Sequence, residues 1–248
     1  MEVEFIKLQS CGKDYILLDP YKTPVLANDI LTDLAAQITS RHFGVGAEGL
    51  LLLLPTGRGT EALQPSQTAT PALKMLCLGP DGSEEVPSPL ALRCMARYAF
   101  DSGLTPGEIF TIQTGSESQT IEVIDSRNII TRNGPPRYWD LDKELKERTA
   151  EGFTRTLTVE ERDYNYIPVR LEKPHAVFFF PDYSIDDREF REGIESSGFT
   201  RETAVELVRV FSRDKLNTRV WEEGMCESMA SESGACAAVV ASVLNGFT

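Results

Sequence analysis

Residues 224–246 read GMCESMASESGACAAVVASVLNG, and the fold turns on how this stretch is read. From Gly234 to Leu244, Ser242 is the one polar residue among small and apolar ones. That pattern is a helix with no polar face, which is expected to be enclosed by protein on every side. Ser231 stands at its N-terminus as the cap. A second stretch, SPLALRCMARYAFDSG at 88–103, repeats the plan. Ser88 caps it, Pro89 takes the first helical position, where its missing N–H costs little, and Gly103 ends it. Leu90, Ala91, Leu92, Cys94, Met95, Ala96, Tyr98 and Phe100 make it nearly as apolar. Two such helices, each in a strand-rich half and each with a cysteine shortly after its serine, imply an internal duplication.

Around these helices the chain is mostly strand. VEFIKLQ alternates, and YILLD follows it after a turn at Cys11-Gly12-Lys13. Asn28 can cap a helix with Ile30, Leu31, Leu34, Ala35 and Ile38 on one face, stopping before Gly44. GLLLLLP and LKMLCLG read as strands, with a polar loop at 56–72 between them and a DGSEEVP turn after the second. EIFTIQT, QTIEVI and NIITR are strands. A charged segment at 140–163 precedes the strands YIPVRL and HAVFFF. TRETAVELVRVFS fits helix or strand, and NTRVWEEG reads as a strand.

A chain of 248 residues can hold one large core or two small ones. Its net charge of −13 repels phosphate backbones and anionic lipid, so neither nucleic acid nor a membrane is an expected partner. There is no apolar run of about 18 residues. MEVEFIKLQS has alternating charge and no apolar segment of the export-signal kind, so a cytoplasmic protein is expected. The five cysteines, Cys11, Cys77, Cys94, Cys226 and Cys236, are odd in number and lack C-x-x-C spacing. Reduced thiols fit better than a disulfide scaffold or a zinc site.

The sequence resembles diaminopimelate epimerase over almost its whole length. KLQSCGKDYILLD is similar to that family's K-M-x-G-x-G-N-D-F-x-x-x-D, and RHFGVGAEGLLLL to its R-x-x-G-V-G-x-D-x-L. GPDGSEEVPSPLALRCMAR follows N-x-D-G-S-E-x-x-x-C-G-N-G-x-R-C-x-A, and KPHAV follows N-P-H-x-V. RVWEEGMCESMASESGACAA follows R-x-x-E-R-G-x-G-E-T-x-A-C-G-S-G-A-C-A. The resemblance implies an α+β fold of two pseudo-symmetric domains, each a β-barrel-like sheet wrapped around a central helix, with domains at 1–116 and 117–248. It implies a small-molecule substrate, an amino acid, bound between the two helix N-termini, with no cofactor and no metal, in a homodimer. Family members carry further strands beyond the last helix, so the C-terminal domain is expected either to be cut short or to be built differently.

In that family two cysteines move the α-proton, and here both positions are serine, Ser88 and Ser231. An alcohol ionises far less readily than a thiol, with a gap of roughly 10 kcal/mol. A helix dipole supplies about 0.3–2 kcal/mol and does not close it. The family asparagines align with Lys13, Gly79, Lys173 and Ala204, and the arginine for the distal carboxylate aligns with Glu223. The implied substrate-binding set is Lys13, Lys173, Glu223, Ser233 and Gly234, with Lys13 and Lys173 as an anion pocket; diaminopimelate itself fits this set poorly.

His175 and Glu222 align with the family histidine and glutamate, and either can supply base chemistry that Ser88 and Ser231 cannot supply alone. A Ser–His pair is one arrangement. Another is Glu222 with His175, resembling a phenazine-biosynthesis isomerase that works through a carboxylate. The remaining alternative is a non-catalytic homologue that binds a ligand or a partner.

Overall fold

The computed structural model describes residues 3–19, 28–55, 73–115, 117–132, 134–138, 153–159, 161–171, 173–182, 187–196, 199, 203–222 and 226–248. The loop expected at 56–72 lies outside the described residues. The chain divides into Met1–Arg132 and Asn133–Thr248. This division comes later than the expected 116/117, because strands 117–123 and 129–131 pair into the first unit's sheet.

In the first unit, β1 (Ile6–Ser10) and β2 (Lys13–Leu18) form a hairpin. Its turn sits at Cys11 and Gly12, both with positive φ. Helix α1 (Asn28–Thr39) crosses over to β3 (Gly49–Pro55), which runs parallel to β2. Strand β4 (Leu73–Leu78) returns antiparallel, and β5 (Glu84–Glu85) pairs with its end. Helix α2 (Pro89–Asp101) follows, then β6 (Ile109–Thr114), β7 (Glu117–Val123) and β8 (Ile129–Thr131). Side chains alternate across a strand, and here both faces are covered. Tyr15, Leu17, Leu51 and Leu53 pack with α2, whereas Ile16, Leu18, Leu50 and Leu52 pack with α1. This is why GLLLLLP is apolar without a break.

The second unit begins with β9 (Arg137–Tyr138), β10 (Arg155–Val159) and β11 (Arg162–Arg170). Then come β12 (Pro174–Phe179), α3 (Asp187–Ser196) and β13 (Ala204–Ser212), with β13 parallel to β12. Strand β14 (Lys215–Glu222) returns antiparallel, β15 (Cys226–Ser228) pairs with its end, and α4 (Glu232–Leu244) closes the described chain.

The run β11-β12-α3-β13-β14-β15-α4 therefore has the same order and pairing senses as β1-β2-α1-β3-β4-β5-α2. Of the ambiguous 200–212 stretch, Ala204–Ser212 is a strand. Ala176, Phe178, Val205, Leu207 and Trp221 face α3, while Val177 and Val208 face α4.

One expectation is corrected. Helix α4 is not enclosed on every side: Val239 and Val243 are 51% and 44% exposed, and Ala235 is on the same face. The equivalent face of α2 is covered, with β7 and β8 packed on that helix. No strand follows α4 among the described residues, so the sheet covers α4 from one side.

Candidate functional site

Alternation along the strands builds the site in the second unit. His175 has the parity of Val177, Glu206 that of Val208, and Glu222 that of Val220, opposite to Trp221. All three polar residues are thus turned to the α4 side of the sheet. His175 and Glu206 are fully buried, and His175 Nδ1 lies 2.7 Å from Glu206 Oε1. Burial pushes the Glu206 carboxyl above the usual carboxylate range; the His175 hydrogen bond and charge and the Lys173 charge pull it down, and the Glu222 charge pushes it up. The other polar atom of each, His175 Nε2 and Glu206 Oε2, is buried with no hydrogen-bond partner among the described residues.

The N-terminus of α4 sits against this pair. Ser231 caps it in an extended conformation, and its Oγ accepts from the Gly234 N–H at 3.1 Å. The same hydroxyl donates to Glu222 Oε1 at 3.0 Å, and Lys173 Nζ donates to that oxygen at 2.5 Å. Ser233 Oγ is 3.4 Å from Ser231 Oγ. A Cβ on Gly234 would stand 3.0 Å from Glu206 Oε1 and 3.1 Å from Ser231 Oγ. An added Cβ is crowded there because a buried carboxyl and a cap converge on one backbone position. Glu222 is itself 9% exposed, a buried carboxylate rather than a solvated one.

The first unit has a different mouth. Ser88 caps α2, accepting from the Ala91 N–H at 3.2 Å, and its Oγ lies 2.9 Å from the Tyr15 hydroxyl. Burial holds the Tyr15 phenol well above its ordinary pKa; the bond to Ser88 lowers it in part, and Cys77, Cys94 and Glu48 raise it further. Burial likewise pushes the Cys77 and Cys94 thiols up to about 12. Where the second unit has Glu222, this one has Gly79, and the Glu85 side chain fills the space a Cβ would take there.

Against this geometry stand the comparisons with known proteins. A diaminopimelate epimerase from Pelotomaculum thermopropionicum is 34% identical over 254 residues, spanning 99% of this chain and 85% of the relative. The chain belongs to the diaminopimelate epimerase family. A second diaminopimelate epimerase, from Desulfovibrio desulfuricans, is 29% identical over 99% of this chain and 84% of its own. No family model matches. In fold, the chain is similar to a hydroxyproline epimerase from Agrobacterium vitis, with TM-score 0.61 and 11% identity over 98% of this chain and 77% of that one. It is also similar to a phenazine biosynthesis protein of the PhzF family from Enterococcus faecalis, with TM-score 0.55 and 10% identity over 94% and 76%. The α+β fold with two pseudo-symmetric units is that of the family.

For a diaminopimelate epimerase family member, the structure brings together His175, Lys173, Glu222, Ser231, Ser233 and Gly234 within the second unit, while Ser88 and Lys13 lie in the first. Glu223 lies outside the described residues. The contacts of these residues are the following. His175 bonds Glu206 through Nδ1, and Lys173 pairs with Glu222. Of the thiols, Cys94 is buried as expected and Cys236 half-buried. Two residues escaped the sequence reading. Glu206 carried a signal, a carboxylate inside the apolar strand AVELV, and Tyr15 stands where the family motif has phenylalanine.

No helix among the described residues is long and apolar enough to cross a membrane. No group of three or more His, Cys, Asp or Glu side chains among them is placed to hold a metal ion.

Proposed function

We propose that this chain is a cofactor-independent isomerase of the diaminopimelate epimerase type. It moves a proton at the carbon beside a carboxylate, in an amino acid or related small molecule, and works in the cytoplasm as a homodimer. The observation that carries this reading is Glu222, held by Ser231 and Lys173 at the mouth of α4. The family places a thiol at the Ser231 position. A serine there cannot ionise, but an ordinary carboxylate is ionised at neutral pH without help.

Glu222 is the base that takes the substrate proton, and Ser231 and Lys173 fix its orientation. The N–H groups and dipole of the helix end favour the substrate carboxylate, and Glu232 in the first turn offsets part of that attraction. His175 and Glu206, one layer behind, hold the wall against which α4 ends. The changed asparagine and arginine positions point to a substrate other than diaminopimelate.

The test is incubation with the L-amino acids and diaminopimelate isomers in deuterated water, read by mass spectrometry. At least one should gain deuterium at its α-carbon. If ligands raise the melting temperature and none exchanges, the chain is a binding homologue and the isomerase reading is wrong. Light scattering should give twice the 27.5 kDa chain mass.

A further inference from the structure

A polar cavity opens on the first unit, where β1, α2 and the turn between β7 and β8 meet. Its volume is about 140 Å³, roughly ten times the space one water needs. Arg93, Arg97 and Arg127 line it together with Gln9, Ser10 and Ser126, and among the described residues no carboxylate does. Such a lining stands out in a chain of net charge −13. Arg97, nine residues on from Ser88, is about 13 Å further along α2, so the cavity is separate from the mouth of that helix.

The chain builds this cluster from two directions. Arg93 and Arg97 are one turn apart on the same face of α2. Arg93 Nε donates to the Ile129 carbonyl at 3.1 Å, and Arg97 Nη1 donates to the Asp125 carbonyl at 3.3 Å. The helix is thereby tied to both ends of the β7–β8 turn, which sets Arg127 beside the pair. The Asp125 carboxylate is taken up by the turn itself: it accepts from the Arg127 N–H at 2.7 Å, the Asn128 N–H at 2.9 Å and Asn128 Nδ2 at 2.7 Å. Asp101 pairs with Arg97 from a 55% exposed position outside the lining. Gln9 Oε1 accepts from the Gly12 N–H at 3.1 Å, which leaves its amide N–H₂ as the end that meets a ligand.

The fold itself does not call for these cations. Counted from the two serine caps, Arg93 and Arg97 hold the places that Cys236 and Val240 hold in α4, and Val240 simply packs against the second unit's core.

We propose that this cavity binds a phosphoryl group, a doubly charged oxyanion gripped by Arg93, Arg97 and Arg127. Guanidinium groups offer paired N–H donors to such oxygens. A phosphate ester carries a charge of about −1.5 to −2 and three acceptor oxygens. Three guanidinium charges less that of Asp101 leave two, which a dianion neutralises and a single carboxylate does not. The two serine hydroxyls and the Gln9 amide supply further donors. The site lies wholly within the first unit and is independent of the proton chemistry at α4.

Titration calorimetry of the whole chain with inorganic phosphate, at neutral pH and low salt, tests this. Phosphate should fill one saturable site, and singly charged acetate should bind more weakly. Arg127→Gln, on an exposed turn, and Arg97→Gln should each weaken phosphate about tenfold, while Arg162→Gln, exposed on β11, should leave it unchanged. Phenyl phosphate is the second ligand: tighter binding than phosphate marks an ester as the natural occupant, weaker binding marks the free ion, and either upholds the site. No saturable binding of phosphate or phenyl phosphate overturns the proposal. So does acetate binding as tightly as phosphate, or phosphate binding that survives both Arg127→Gln and Arg97→Gln.

Discussion

Gly234→Ala tests whether the α4 cap and the buried His175–Glu206 pair form one packed unit. In an ordinary helix this substitution gains about 0.8–1.0 kcal/mol from propensity. Here the added Cβ would meet Glu206 Oε1 at 3.0 Å, Ser231 Oγ at 3.1 Å and Ser231 Cβ at 3.2 Å. Glu206 cannot yield, since it is fully buried and tied to His175 Nδ1 at 2.7 Å. Overpacking of this kind costs about 1–3 kcal/mol, which leaves a net loss of about 1 kcal/mol.

Trp221 is fully buried in the second unit, so its fluorescence during urea denaturation, read in a Trp139→Phe background, reports on that unit. With an m-value of about 2 kcal/mol/M, the midpoint should drop by about 0.5 M. In a Glu206→Ala background the nearest clash is gone, and Gly234→Ala should become neutral or stabilising. A stabilisation of about 1 kcal/mol in the otherwise unchanged chain would refute the packing argument.

Two further outcomes follow from the buried titratable groups. The Glu206 carboxyl is raised by burial above its ordinary 4.5, so over that window the folded chain holds a proton the unfolded chain has released. Its contribution to the second unit's stability should therefore fall as pH rises from about 4.5 through the raised folded value, and Glu206→Gln should flatten that fall in urea midpoints measured against pH. Cys77 and Cys94, pushed to about 12 from 9.0, should alkylate about a thousandfold more slowly than an unshifted thiol. Mass-spectrometric labelling of the native chain should find exposed Cys11 modified first and these two only after unfolding.

What could be read in the sequence follows from how strongly each segment is patterned. The five-leucine run of β3 and the serine-capped α2 and α4 announce themselves, because both faces of a buried strand and most of a core helix must be apolar. Helix α3 does not: Phe190 and Ile194, one turn apart, are its fully buried anchors in an otherwise charged stretch. Strand β10 is hidden for the same reason, with Leu157 and Val159 turned inward and charged or hydroxyl neighbours outward. At the site, family resemblance marked Ser88, Ser231, His175 and Glu222, but no sequence rule assigns their partners. Tyr15 and Ser88 are 73 positions apart and His175 and Glu206 31 apart, so their contacts exist only once strand parity and pairing are set.

The position of Glu222 at the mouth of α4, in contact with both Ser231 and Lys173, carries the functional account. Its most direct test is the rate of α-proton exchange into deuterated water by Glu222→Gln, which keeps the side chain's size and removes its basicity. That rate should fall about 10²- to 10⁴-fold against the unmodified chain, with the folded state intact by circular dichroism. Exchange in Glu222→Gln at the unmodified rate would place the base elsewhere and contradict the account.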